Sequence, residues 1–349
     1  MQSWWPSFSS GPRGCSKKFR GRNGVRIPRA IFKWLPLCFF VLFPLGTGVL
    51  FSEFYISLLI RIFIFGIMLL GLDILAGYCG LVSLGHSMFY GSGAYLAAIV
   101  LTHVTDSIWA TLGISILANA IIGYLIGSFC IRTRGIYFVF LTFAFAQFFY
   151  LAFSNWHFVG AADGMAGIPK PSLGIGLNLG DRRVYYYFTL AILVAAYYAA
   201  RWIVESPLGK ILVGIRQNEE RVQFLGYEVN SCKRRAYIYS GIFGGVAGSL
   251  TVGYLSFVSP SVYHWSLSAE ILAMELVGGM GTLVGPLIAS GFVIYLGDLL
   301  SSWIAEAWLM VLGTIYVICI LYSPEGIFGI LKKFRPIKRL IPLGDKGPS

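Results

Sequence analysis

Charged residues are scarce in this chain: Asp, Glu, Lys and Arg make up 12% of its 349 residues. A water-solvated domain carries about a quarter, so the deficit points to a protein solvated by lipid. Histidine is scarcer still, with four residues. There is no H-E-x-x-H and no G-x-S-x-G, so neither a metal site nor a catalytic dyad is expected. The six cysteines (Cys15, Cys38, Cys79, Cys130, Cys232 and Cys319) form no C-x-x-C and no close pair. They read as small apolar residues, not as a disulfide framework or metal ligands. The one Gly-Lys dipeptide, Gly209-Lys210, is followed by Ile211, and Val204 holds the place of the first P-loop glycine. The chain therefore carries no nucleotide-binding motif.

Hydrophobic residues make up 57% of the chain and aromatics 16%. Apolar runs of about 20 residues recur, the length a helix needs to cross about 30 Å of hydrocarbon. They lack dyad alternation, which argues for helices and against a barrel. Ten such segments are expected, at 34–52, 54–76, 86–103, 108–131, 136–156, 184–202, 236–258, 265–281, 285–303 and 306–324. The third and eighth are weak enough to be broken or re-entrant. No small-residue cleavage site closes the first run, so 34–52 is expected as an uncleaved span.

The net charge of +12 sits in places that speak for a membrane and against nucleic acid. The first 33 residues, Arg132/Arg134, Arg201–Arg235 and Lys332–Lys346 hold 23 of the 27 Lys and Arg. With both termini cytoplasmic and strict alternation, every one of these clusters falls inside. The expected layout has a basic, disordered extension at 1–33, a transmembrane bundle at 34–331, and a basic cytoplasmic tail at 332–349. Within the bundle lie a Gly- and Pro-rich outer loop at 157–183 and a cytoplasmic loop at 203–235. The outer loop is expected to be irregular with one short surface helix. The extension is suited to touch anionic headgroups.

The cytoplasmic loop contains an unexpected polar helix, "SPLGKILVGIRQNEERVQFLGYE" (206–228). Ser206 is a good N-cap and Pro207 a good first helical residue. Leu208, Ile211, Leu212 and Ile215 repeat at helical spacing, "QNEER" breaks the face, and Val222 and Leu225 resume it. Gly226 suits a left-handed cap. One or two short helices are expected, with an apolar stripe that something must bury. The candidates are the lipid surface and a partner protein. The mixed charge of Lys210, Arg216, Arg221, Glu219 and Glu220 favours a protein groove over lipid.

Glycine, 42 residues in all, clusters in "GYCGLVSLGHSMFYGSGAY" (77–95) and "LVGGMGTLVGPLIASG" (276–291). Both contain G-x-x-[ST]-L: Gly80, Ser83 and Leu84 in one, Gly279, Thr282 and Leu283 in the other. Weak internal similarity of this kind fits transporter halves, and equally two unrelated glycine-lined helix contacts. Polar groups at membrane depth are Asp73, Asn119, Gln147, Glu270, Glu275 and Asp298. Glu270 and Glu275 do not share a helix face. Glu275 and Asp298 either bond between helices or line a path. His86 reads as a structural hydrogen bonder before a ligand. Arg61 is expected to snorkel outward.

These stretches, with "TRGIYFVFLTFAFAQFFY" (133–150), resemble branched-chain amino acid ABC transporter permeases over about Gly77–Phe328. The likeness is closer to the longer of the family's two permease types. It implies an all-α polytopic protein of type II importer architecture, with about ten transmembrane helices, in a bacterial cytoplasmic membrane. ATP and Mg would be bound by partner subunits, with no cofactor in this chain. The implied partners are two ATP-binding subunits, a second, different permease subunit, a periplasmic solute-binding protein and the lipid bilayer. The implied coupling residues are Pro207, Gly209, Arg216, Glu219, Glu220, Leu225 and Gly226, with both glutamates on the face toward the ATPase. Candidate pathway residues are Ser83, Gly85, His86, Gln147, Glu270, Glu275, Gly279, Gly281 and Asp298. Asp163, Gly164 and Pro169 are expected to face the binding protein. The implied substrates are leucine, isoleucine and valine. Urea, amides or other amino acids are alternatives, as is an ion-coupled secondary transporter using Glu275 and Asp298. The run "VGAADGMAGIP" lacks the family's usual Thr-Gly-Gly, and Glu275 stands where an apolar residue is expected.

Overall fold

The structure, a computed structural model, describes residues 53–174, 179–304 and 307–322. The expected extension (1–33), first span (34–52) and tail (332–349) lie outside these residues.

Among the described residues the chain is mostly helical, and helices occupy the nine remaining predicted segments. Helix α1 (Glu53–Leu72) continues as a π-helical turn, Asp73–Tyr78. It is followed by α2 (His86–His103), α3 (Ile108–Cys130), α4 (Ile136–Ser154) and α5 (Arg182–Glu205). Two short helices, α6 (Pro207–Gln217) and α7 (Glu219–Phe224), precede α8 (Val229–Leu255). The last described helices are α9 (Trp265–Gly278), α10 (Val284–Trp303) and α11 (Trp308–Tyr322). Six of them, α1 with its π turn, α3, α4, α5, α8 and α10, are long and apolar enough to cross a membrane. The weak third segment is one unbroken helix of 18 residues, whereas the eighth stops at Gly278 after 14.

Helix α8 begins seven residues before the predicted start of its segment. Its first turns carry Lys233, Arg234 and Arg235: Glu219 offers Lys233 a counter-charge, and Arg234 lies over the Tyr124 ring. It packs against α1, α2 and α3. Small residues permit this close approach: a side chain at Gly93 would run into the backbone of Gly245. Hydroxyls bridge the same contacts. Ser115 Oγ donates to Gly245 O at 3.0 Å and Ser249 Oγ to Gly93 O at 3.1 Å.

Loops gather at two opposite ends. At one, Arg182 pairs with Glu53 at 3.3 Å and Ser107 bridges Ser172. There the expected irregular loop contains two 3-10 turns and a strand, β1 (Met165–Ala166). It pairs antiparallel with β2 (Phe257–Val258), which the Gly- and Pro-rich composition did not announce. The other end holds residues 77–85, 131–135, 206–228 and 279–283, linked by contacts described below. It bears Arg132, Arg134, Lys210, Arg216 and Lys233 and is termed the basic face.

Candidate functional site

On the basic face the polar insert folds as its local chemistry dictates. Ser206 caps α6 by accepting from Gly209 N, and Pro207 occupies the first turn. Asn218 ends α6 and caps α7, its Oδ1 accepting from Arg221 N at 2.9 Å. This explains the break at "QNEER": an asparagine N-cap starts a second helix. Gly226 closes α7 with φ +87°, a conformation costly for any side chain bearing Cβ.

Most of the apolar stripe is not left for lipid or a partner, Leu225 being its open end. Leu212 and Ile215 are buried, and Val222 packs toward Gly214. Their burial comes from this chain itself: α6 packs on α5, on α8 and on the π turn. Gly209 sits so close to the carbonyl of Val204 that a side chain would not fit. The apolar surface that remains open lies at the tip of the insert, where Phe224 is 88% exposed, Leu225 71% and Tyr227 49%.

The two glutamates part company. Glu220 is exposed. Glu219 turns inward to Lys233 Nζ at 2.7 Å and lies 3.9 Å from Arg134. The expectation that both face a partner is therefore corrected: the nearly buried Lys233 ammonium holds Glu219 against the body. Arg216 stays exposed but reaches back to the body. Its Nη1 donates to the carbonyl of Gly77 in the π turn. A cavity of about 350 Å³ lies beside it, lined by Cys79, Arg134, Arg216, Glu219, Lys233 and Met280 among others.

The two glycine-rich breaks with the shared G-x-x-[ST]-L pattern meet here. Asp73, fully buried, accepts from Gly281 N and, at 2.8 Å, from Leu283 N. A side chain at Gly77 would strike both the Asp73 carboxylate and Gly281 N. Gly279, Gly281 and Leu283 all have positive φ, and Leu283, at +56°, is held there by Asp73. Glu275, also fully buried, lies beside Asp73, although neither of its oxygens reaches a partner at hydrogen-bonding geometry.

Of the other candidate pathway residues, Ser83, Gly85 and His86 sit together at the start of α2. Ser83 Oγ accepts from Gly85 N at 3.1 Å, and His86 Nε2 is 2.6 Å from Ser240 Oγ on α8. Gln147 is half-buried on α4, and Asn119 bonds back to Ser115 O. Asp298 and Glu270 stand apart from this group. Arg61 does not snorkel free: its Nη1 lies 3.3 Å from Asp298 Oδ1, and Glu270 is within its electrostatic reach. At the opposite end, Asp163 and Pro169 are exposed, and Gly164 packs against Val258 and Ser259. Lys170 Nζ there donates to the carbonyl of Tyr254. Desolvation first, and the neighbouring Arg182 charge second, lower the pKa of that lysine. Among the described residues no three His, Cys, Asp or Glu side chains converge as metal ligands.

Residues 54–321 match the family model described as branched-chain amino acid transport system / permease component. A high-affinity branched-chain amino acid transport system permease protein, LivM, of Salmonella typhimurium is 28% identical over 281 residues. The match covers 74% of this chain and 66% of that protein. The LivM of Escherichia coli is 27% identical over 300 residues, 79% of this chain and 70% of its own. The ribose import permease protein RbsC of Haemophilus influenzae is 24% identical over 166 residues, 46% and 50% of the two chains. The match thus spans about two thirds of the length of the two LivM relatives. No solved structure matches.

Proposed function

Because the chain belongs to the family of permease components of branched-chain amino acid transport systems, we propose that it is the transmembrane subunit of an ATP-driven importer. Its solutes are leucine, isoleucine and valine, delivered by a periplasmic binding protein. It sits in a bacterial cytoplasmic membrane with about ten crossings, both termini and the basic face inside. A second, different permease subunit and two ATP-binding subunits complete the assembly. The observation that carries this reading is the exposed Phe224, Leu225 and Tyr227 at the tip of an otherwise anchored insert. Large apolar side chains clustered on a polar segment mark a docking site. The binding protein approaches the opposite end, where Asp163 and Pro169 are open.

The test uses the full assembly in liposomes with ATP on the basic-face side and labelled leucine on the other. Phe224→Ser and Gly226→Asp are expected to insert normally, to lose co-purifying ATP-binding subunits and to lower uptake about tenfold or more. Normal uptake in both would overturn the docking assignment. The unpartnered Glu275 oxygens beside Asp73 favour one rival, an ion-coupled carrier. Uptake by that rival would survive ATP depletion and collapse with a protonophore.

A further inference from the structure

We infer that Arg216 is the positioning residue through which movement of the docking insert reaches both glycine-rich breaks. The inference rests on the function proposed above. Arg216 lies in the last turn of α6, one helix away from the exposed tip. Its side chain threads between the two breaks. On one side, a Cβ at Gly80 (φ +78°) would lie 3.0 Å from Arg216 Cγ. On the other, a Cβ at Gly281 (φ +82°) would lie 3.2 Å from Arg216 Nη1. The guanidinium donates to Gly77 O, and Gly77 is held against Asp73 and Gly281. Asp73 in turn caps Gly281 N and Leu283 N. One continuous set of contacts therefore joins α6, the end of α1 and the start of α10.

The residue types suit a joint. Glycines at positive φ leave no side chain in the way and mark where the chain departs from helix. A π-helical turn at the end of α1 leaves that helix end outside the regular ladder. A planar guanidinium presents several donors in a rigid fork, so it can hold a carbonyl in a defined geometry. The cavity of about 350 Å³ beside Arg216 gives the side chain room to shift. Glu219, by contrast, is committed to Lys233 and does not compete for Arg216. Displacement of α6 thus pulls on Gly77 and presses on Gly281, tilting α1 and α10 together.

The rival account makes Arg216 a local cap that only stabilises the end of the π turn. The two accounts are separated by the ratio of leucine taken up to ATP hydrolysed in the reconstituted assembly. Arg216→Ala removes the side chain. Gly281→Ala keeps the Arg216 side chain and the docking tip but places a methyl group against the guanidinium, on backbone at φ +82°. Both variants are expected to retain co-purifying ATP-binding subunits and to lower the transport-to-hydrolysis ratio about tenfold. Arg216→Lys, which keeps a donor without the planar fork, should fall between them and the parent. An unchanged ratio in both variants overturns the inference. So does a loss of associated ATP-binding subunits in both, which would make Arg216 a structural anchor. Absence of ATP-driven uptake in the parent assembly would instead remove the functional reading on which the inference stands.

Discussion

Helix α1 meets the α10 region twice, and the two meetings are built differently. On the basic face Asp73 is fully buried and its carboxylate serves backbone donors, Gly281 N and Leu283 N. Nearer the other end Arg61 and Asp298 meet side chain to side chain at 3.3 Å, 51% and 24% exposed on the isolated chain. A carboxylate that satisfies buried backbone fixes geometry, because its removal strands donors in a medium that offers no substitute. An open ion pair contributes little. The first meeting fixes backbone; the second is an open ion pair, with Glu270 close enough to share Arg61.

The hardest blow to this contrast is Asp73→Ala. It strands two buried N–H groups and is expected to cost about 2–6 kcal/mol, read as a lost or lowered thermal transition of the detergent-solubilised chain. Asp73→Asn, which keeps one acceptor, should recover part of that loss. A wild-type transition for Asp73→Ala would erase the distinction. Next comes Glu219→Gln, which leaves Lys233, 4% exposed in its side chain, without its counter-charge. The expected loss is about 2 kcal/mol, below that of a fully buried pair because Glu219 is itself partly open. Chemical denaturation would measure it. Glu275→Gln is expected to cost less than about 1 kcal/mol, since it removes one of two adjacent carboxyl groups that repel when charged. A larger loss would show that the Glu275 charge supports the joint. Asp298→Asn should have the smallest effect on stability, within about 1 kcal/mol, and should change the KM of uptake instead. A melt depressed as far as that of Asp73→Ala would put both ends of α1 in one class.

Much of the fold was legible because lipid imposes long apolar runs and the runs carry their own punctuation. The described helices fall on the expected segments, and the insert shows the expected caps at Ser206 and Gly226, whereas the Asn218 cap was hidden in the break at "QNEER". The fate of its stripe was not legible. Periodicity shows that Leu212 and Ile215 need cover, but not that α5, α8 and the π turn supply it. The same blindness affects charges. Arg61 finds Asp298 across 237 positions, and Asp73 finds Gly281 across 208. No local pattern encodes such separations. The recurrence of G-x-x-[ST]-L at Gly80 and Gly279 was visible, but not that the two breaks meet around Arg216, through Gly80 and Gly281. The strand pairing of Met165 with Val258 was hidden because two-residue strands leave no alternation to detect.

The most direct test of the central claim is the accessibility of position 225. In a chain whose native cysteines are replaced by serine, Leu225→Cys, labelled with a membrane-impermeant maleimide, should react only in inside-out vesicles, and ATP-binding subunits added to those vesicles should block the reaction. Labelling from the outer side, or labelling that the added subunits leave unchanged, would contradict the account.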